Sequence, residues 1–283
     1  MAIETGILLG IIVMLLWGFS KIPAKKAMGI IGPYYSLLYE HIVVGFLVLL
    51  IIPFTEFVLP SIRISIWLLC AALIGAVGIS FLFRAMDEGK VSIVSPIAHS
   101  AAIITVILSY LFLGERISPL KWLAVGLMIL GTILISFRYS DIMRLKFSNA
   151  VPGVKYALIA MLGWGAFYFA VKPVVDDLGP LLATVYLEVL VSLFIAVPLI
   201  FRGIRKPGRA LKYSLTSGVC VAAASLLFNS AIEKSAVSLI YPLASSAPFI
   251  SVILSFIMLG ERIELNQKLA ILLIIPGIII ASL

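Results

Sequence analysis

Ten stretches of about twenty mostly apolar residues follow one another along this chain, roughly 5–28, 33–54, 63–85, 91–113, 119–137, 152–174, 180–201, 210–231, 237–259 and 266–283. A helix of about that length matches the hydrocarbon thickness of a bilayer. The connections between the stretches are short and hold most of the charge. Composition removes the soluble alternative: 63% of the 283 residues are hydrophobic and 12% are charged, against roughly 45–50% and about 25% in a soluble domain. The chain is therefore expected to be all-α, with ten transmembrane helices, and to be a multi-pass protein of the cell membrane. The first stretch outruns a signal-peptide core and has no basic leader, so it is expected to be retained. The formal net charge of +8 is a topology signal. A nucleic-acid reading would need a basic soluble domain, for which there is no room.

The chain also repeats itself. Shifted by 146 positions, Val91–Ile117 falls on Val237–Ile263 with 16 of 27 residues identical. Both copies open V-S-x-x-x-P-x-A and close L-G-E-R-I. Trp17-Gly18 matches Trp164-Gly165, Lys25 matches Lys172, and Gly32-Pro33 matches Gly179-Pro180, each at a spacing of 147. Shared apolar bias yields scattered Leu and Ile matches, but not Pro, Trp and Glu-Arg in order. Two units are thus expected, 1–140 and 150–283, divided at the charged connection 138–151. A unit with five spans ends on the opposite face from its start, so its copy enters inverted. Inverted repeats recur in secondary transporters, where the halves rock about a midplane site.

Lys and Arg concentrate on one side. The connections after spans 1, 3, 5, 7 and 9 account for sixteen of them and the opposite connections for five, which places the first set in the cytoplasm and both termini outside.

The W-G-x6-K pattern at Trp17 and Trp164, with L-G-E-R after spans 4 and 9, resembles the EamA family of the drug/metabolite transporter superfamily. The resemblance covers nearly the whole chain. It implies a ten-helix fold of two inverted five-helix repeats, export of amino acids or other metabolites, and a cavity between the halves built largely from spans 1, 3, 4, 6, 8 and 9. It also implies, for many relatives, both termini in the cytoplasm, opposite to the charge count.

Ionisable groups inside a bilayer are costly and ask for a reason. Glu40 and His41 lie about two turns into span 2, and Glu188, aligned with His41, lies at the matching depth of span 7. A carboxylate in low dielectric holds its proton more tightly than in water, which is the chemistry a proton-coupled carrier needs. An interhelical hydrogen bond or a Glu–His pair locking helices together fits the same residues. His99 aligns with Ser245, an asymmetry through which a duplicated scaffold can acquire selectivity, although a lone histidine can equally bond a neighbouring carbonyl.

Pro96, Pro242 and Pro248 each remove an N–H and free the carbonyl four residues earlier, so kinks or hinges are expected there. Freed carbonyls are tolerated only where protein or a wet cavity covers them. Ser92, Ser95, Ser238, Tyr241 and Ser245 around them read as cavity lining or as plain helix packing. Trp17, Trp164 and Asn229 are further cavity candidates, with anchoring as the alternative. The L-G-E-R-I stretches read as structural. Gly114 and Gly260 suit a left-handed helix end, Glu115 or Glu261 is expected beside the next helix N-terminus, and Ser118-Pro119 signals a cap.

These features point to a secondary carrier of a small polar or amphipathic metabolite such as an amino acid, working by alternating access with protons as a candidate coupling ion. An intramembrane enzyme and a non-transporting scaffold are the alternatives. The first lacks H-E-x-x-H, paired intrahelical aspartates or a nucleophile motif, and no Walker motif implies a nucleotide. No cofactor or metal is expected: His41 and His99 are the only histidines, and Cys70 and Cys220 lie in apolar runs. Oligomeric state is left open.

Overall fold

A computed structural model describes residues 2–88, 94, 97–136, 153–200, 203, 205–259 and 263–283. Ser92, Ser95 and Pro96, the segment 138–151 and the Gly260-Glu261-Arg262 motif lie outside the described residues. The elements are α1 (Ala2–Ile31), α2 (Pro33–Leu49), a 3-10 turn (Ile52–Phe54), α3 (Ile62–Glu88), α4 (Ala101–Phe112), α5 (Pro119–Ile135), α6 (Val154–Ile200), a second 3-10 turn (Gly208–Ala210), α7 (Leu211–Lys234), α8 (Val237–Ser245), α9 (Ala247–Leu259) and α10 (Leu265–Ser282). The described residues are all-helical apart from connections, and seven helices are long and apolar enough to cross a membrane.

Local chemistry explains where these helices start and stop. Gly179 interrupts α6 with φ 72° and ψ 163°, a backbone that glycine adopts without strain. The 45-residue span Val154–Pro198 around it would make a rod of about 68 Å if straight, roughly twice a bilayer, so α6 is two limbs joined at a kink. Gly32 does the same work before α2 at φ 83°. The Ser118 hydroxyl accepts from the Lys121 amide at 3.3 Å with Pro119 in the first turn of α5, as the sequence predicts.

The ninth apolar stretch, expected as one span over 237–259, is broken at Ser246 between α8 and α9. Pro248 therefore falls in the first turn of α9, where its missing N–H leaves no gap in the ladder. Pro242 sits within α8, and both Ser245 and Ser246 donate their hydroxyls back to its carbonyl at 3.0 Å.

The dominant packing runs between the two halves of the chain. α1 packs on α7, α3 on α6, and α5 on α10. Contacts come in pairs related by the same shift that relates the sequences. A Cβ on Gly18 would stand 2.7 Å from the Ala247 carbonyl and 2.5 Å from Ile250 Cβ, and one on Gly165 would stand 2.9 Å from the Ala101 carbonyl and 2.4 Å from Ile104 Cβ. Beside them, Ser251 donates to the Gly18 carbonyl and Thr105 to the Gly165 carbonyl, both at 2.9 Å. Gly131 meets Ala270 and Ile274 while Gly277 meets Ala124 and Met128, so α5 and α10 pack antiparallel. Small residues at such crossings let backbones approach and gain dispersion where lipid offers no hydrophobic drive.

Candidate functional site

Where the two halves meet, side chains from α1, α2, α3, α6, α7, α8 and α9, with His99 just before α4, line a cavity of about 120 Å³. Its wall is built from equivalent positions of the two halves: Trp17 with Trp164, Lys21 with Tyr168, His41 with Glu188, Gly75 with Val221, Ile79 with Ser225, and His99 with Ser245. Only the tryptophan pair keeps its identity. The backbone scaffold is thus near-symmetric around the cavity, and the chemistry inside it is not. Of the five lysine, carboxylate and imidazole groups, Lys21, Glu40, His41 and His99 come from the first half and Glu188 from the second.

The floor is aromatic. Tyr168 and Tyr241 stack at 4.0 Å between centroids, 25° apart. Phe228 stands 5.1 Å from Tyr168, and Trp17 stacks on Phe228 at 5.7 Å. Rings in offset and edge-on contact make a rigid, water-excluding surface. His99 and Trp164, 6.3 Å apart, and the exposed Lys21 complete the lining.

The polar groups are individually held. Glu40 and His41 are buried on α2, at 6% and 7% exposure. The His41 Nδ1 is 3.2 Å from the Leu37 carbonyl. A carbonyl can only accept, so the neutral ring carries its proton on Nδ1, leaving Nε2 as the acceptor. Glu40 is hydrogen-bonded to the Ser217 hydroxyl, which also lies 3.1 Å from the Ser20 carbonyl of α1. Glu188 has the Ser225 hydroxyl beside its carboxyl.

Of the residues singled out in the sequence, Trp17, Glu40, His41, His99, Trp164, Glu188, Tyr241 and Ser245 line this cavity. Asn229 lines a smaller adjoining space of about 20 Å³, where its amide donates to Thr184 Oγ1 at 2.8 Å. Ser238 lines neither; it is buried at the start of α8, where its backbone N–H donates to Glu115. Three polar lining residues went unmarked in the sequence, Lys21, Tyr168 and Ser225. Lys21 and Tyr168 lie four residues beyond the paired tryptophans, one helical turn on the same face, and that spacing was the signal available. Among the described residues no cluster of His, Cys, Asp and Glu could hold a metal ion.

A multi-pass bundle knit across its two halves around a buried polar cavity is the architecture of a membrane transporter. Residues 4–137 and 151–283 each match the model of the EamA-like transporter family, and the chain belongs to that family, within the drug/metabolite transporter superfamily. It is similar to an uncharacterized protein of Methanocaldococcus jannaschii, 30% identical over 138 residues, which covers 47% of this chain and 97% of that protein. It is 24% identical over 200 residues to an uncharacterized transporter of Bacillus subtilis, covering 70% of this chain and 63% of that one. An uncharacterized transporter of Clostridium kluyveri is 23% identical over 223 residues, 75% of this chain and 70% of its own length. One crystal structure shares the fold at a TM-score of 0.80 and 18% identity, over 98% of this chain and 96% of that one.

Proposed function

We propose that the chain is a secondary carrier that exports a small polar or amphipathic metabolite, such as an amino acid, by alternating access. In this reading residues 1–140 and 150–283 are inverted five-helix repeats of a ten-helix bundle. The observation that carries the proposal is the cavity wall of six equivalent residue pairs at the seam between halves that contact each other more than themselves. A seam of that kind can open on either face by rocking one half against the other, exchanging one set of contacts for its equivalent set. The antiparallel packing of the equivalent helices α5 and α10 supports the inversion. The aromatic floor and the cluster of carboxylates, imidazoles and Lys21 suit a substrate with one apolar face and charged ends. Export is the direction the family resemblance favours.

Protons are the coupling ion that buried carboxylates suit, because an ionisable group inside a bilayer is costly unless it has a function. The Ser217 hydroxyl of α7 donates towards both Glu40 of α2 and the Ser20 carbonyl of α1. A shift of α1, α2 and α7 against one another must therefore remake the contacts of Glu40.

Counterflow in proteoliposomes tests the carrier reading. Preloading substrate inside must accelerate uptake of labelled substrate; uptake indifferent to preloading, with the protein folded, defines a channel and removes the proposal.

A further inference from the structure

We infer that Glu115 is a latch between the two halves, closing the cavity on the face where the α8 N-terminus lies. The sequence suggests that this glutamate serves the helix that follows it. The structure places it elsewhere. Gly114 turns the chain at φ 65° after α4, and the Glu115 carboxylate reaches across to the other half. Oε1 accepts the Val237 N–H at 2.8 Å and Oε2 accepts the Ser238 N–H at 2.9 Å. These are two of the free amides at the start of α8, whose own N-cap residue, Ala236, supplies no side-chain cap. A carboxylate astride two such amides is held by charge-assisted bonds and by the helix dipole together.

What the latch holds matters as much as its strength. Tyr241, one turn into α8, is stacked on Tyr168 in the aromatic floor, and Ser245 follows it on the cavity wall. α8 lies against both α4 and α1. On the same end of the bundle Gly6 of α1 is pressed against Ala231 and Ser235, just before α8 begins. Opening the cavity towards this end must draw the start of α8 away from the end of α4, and both Glu115 bonds must then break. His99 lies near the other end of the apolar helical stretch Ile97–Phe112, about 20 Å from Phe112 along the helix axis, so an opening there leaves the latch engaged. Glu115 is a positioning residue that biases which face is open and touches no substrate.

The inference rests on the carrier reading. Its test is the accessibility of a single cysteine, Ser245→Cys, in a background with Cys70 and Cys220 replaced by alanine. A membrane-impermeant maleimide is applied to each face in turn. Glu56→Cys, in the exposed connection after α2, and Lys206→Cys, in the exposed connection after α6, mark the two faces. The latch is weakened by Glu115→Gln and, separately, by Val237→Pro. The second deletes one donor without harming the helix: position 237 is the first of α8, where proline is tolerated, and Ala236 already has the extended backbone that precedes proline. Each variant is expected to speed labelling of position 245 from the Glu56 face about tenfold, the effect of one charge-assisted hydrogen bond at the low end of its range, and to slow it from the opposite face. Labelling unchanged from both faces in a folded variant, with counterflow intact in the protein that carries no substitution, overturns the latch alone. Absence of counterflow in that unsubstituted protein removes the carrier reading and the latch with it.

Discussion

Replacing Gly18 with alanine should force α1 and α9 apart. The new methyl carbon would lie 2.7 Å from the Ala247 carbonyl oxygen, about 0.7 Å inside the ordinary contact limit of 3.4 Å, and 2.5 Å from Ile250 Cβ. Neither neighbour is the end of a flexible side chain, so no rotamer change relieves the overlap. Overpacking of this kind typically destabilises by about 1–3 kcal/mol. Separation also stretches the 2.9 Å bond from Ser251 to the Gly18 carbonyl, a further loss of about 0.6 kcal/mol and at most about 1.7. The expected total is about 2–4 kcal/mol. Gly165→Ala should match it, because the contacts of Gly165 with Ala101, Ile104 and Thr105 repeat those of Gly18 with Ala247, Ile250 and Ser251. The control is Gly126→Ala in α5, which meets nothing within 4 Å and should stabilise by roughly 0.5–1 kcal/mol through helix propensity alone. Reversible unfolding in mixed detergent micelles measures all three. If Gly18→Ala and Gly165→Ala unfold at the same midpoint as Gly126→Ala, the close crossing of halves is wrong.

Glu40→Gln removes a carboxyl that a coupling proton could use, so uptake should become insensitive to pH while binding survives; a full wild-type pH profile would remove proton coupling through Glu40. In Lys25→Cys and Lys172→Cys, labelling with an impermeant reagent should come from opposite faces, and labelling of both from one face removes the inversion. Asn229→Ala loses one bond to Thr184, which keeps its own bond to the Pro180 carbonyl at 2.7 Å; the loss of stability should be about 0.6–1 kcal/mol by micelle unfolding, and a loss several times larger would show that the adjoining space is a structural keystone. A thermal-shift screen of zwitterionic metabolites should raise the melting temperature in proportion to the logarithm of ligand concentration, and Trp17→Ala should abolish that rise if the aromatic floor receives the substrate.

The candidate site was legible where a residue was costly for the bilayer or repeated in both halves. Glu40, His41 and Glu188 stood out because charge in lipid is expensive, and Trp17 and Trp164 because they recur at one spacing. Tyr168 and Ser225 carried neither mark: a tyrosine or serine in an apolar helix is common, and only the packing of α6 and α7 against α1 and α2 turns these two inward. Ser238 drew notice because Pro242, four residues on, frees its carbonyl; what the fold adds is the bond from its backbone amide to Glu115.

Sequence alone determined the membrane, the family and the duplication, because apolar length, composition and a fixed repeat spacing are properties of a one-dimensional string. Helix ends were nearly as accessible, since Gly179, Gly114 and Ser118-Pro119 act on the backbone within a few residues of themselves. Which half each helix embraces was decided only in three dimensions. Glu115 and Val237 are 122 residues apart, and no local rule distinguishes that partner from the helix that follows Glu115. The same holds for the cavity: two halves alike in backbone and unlike in side chain become a site only once the Gly18 and Gly165 crossings bring their faces together.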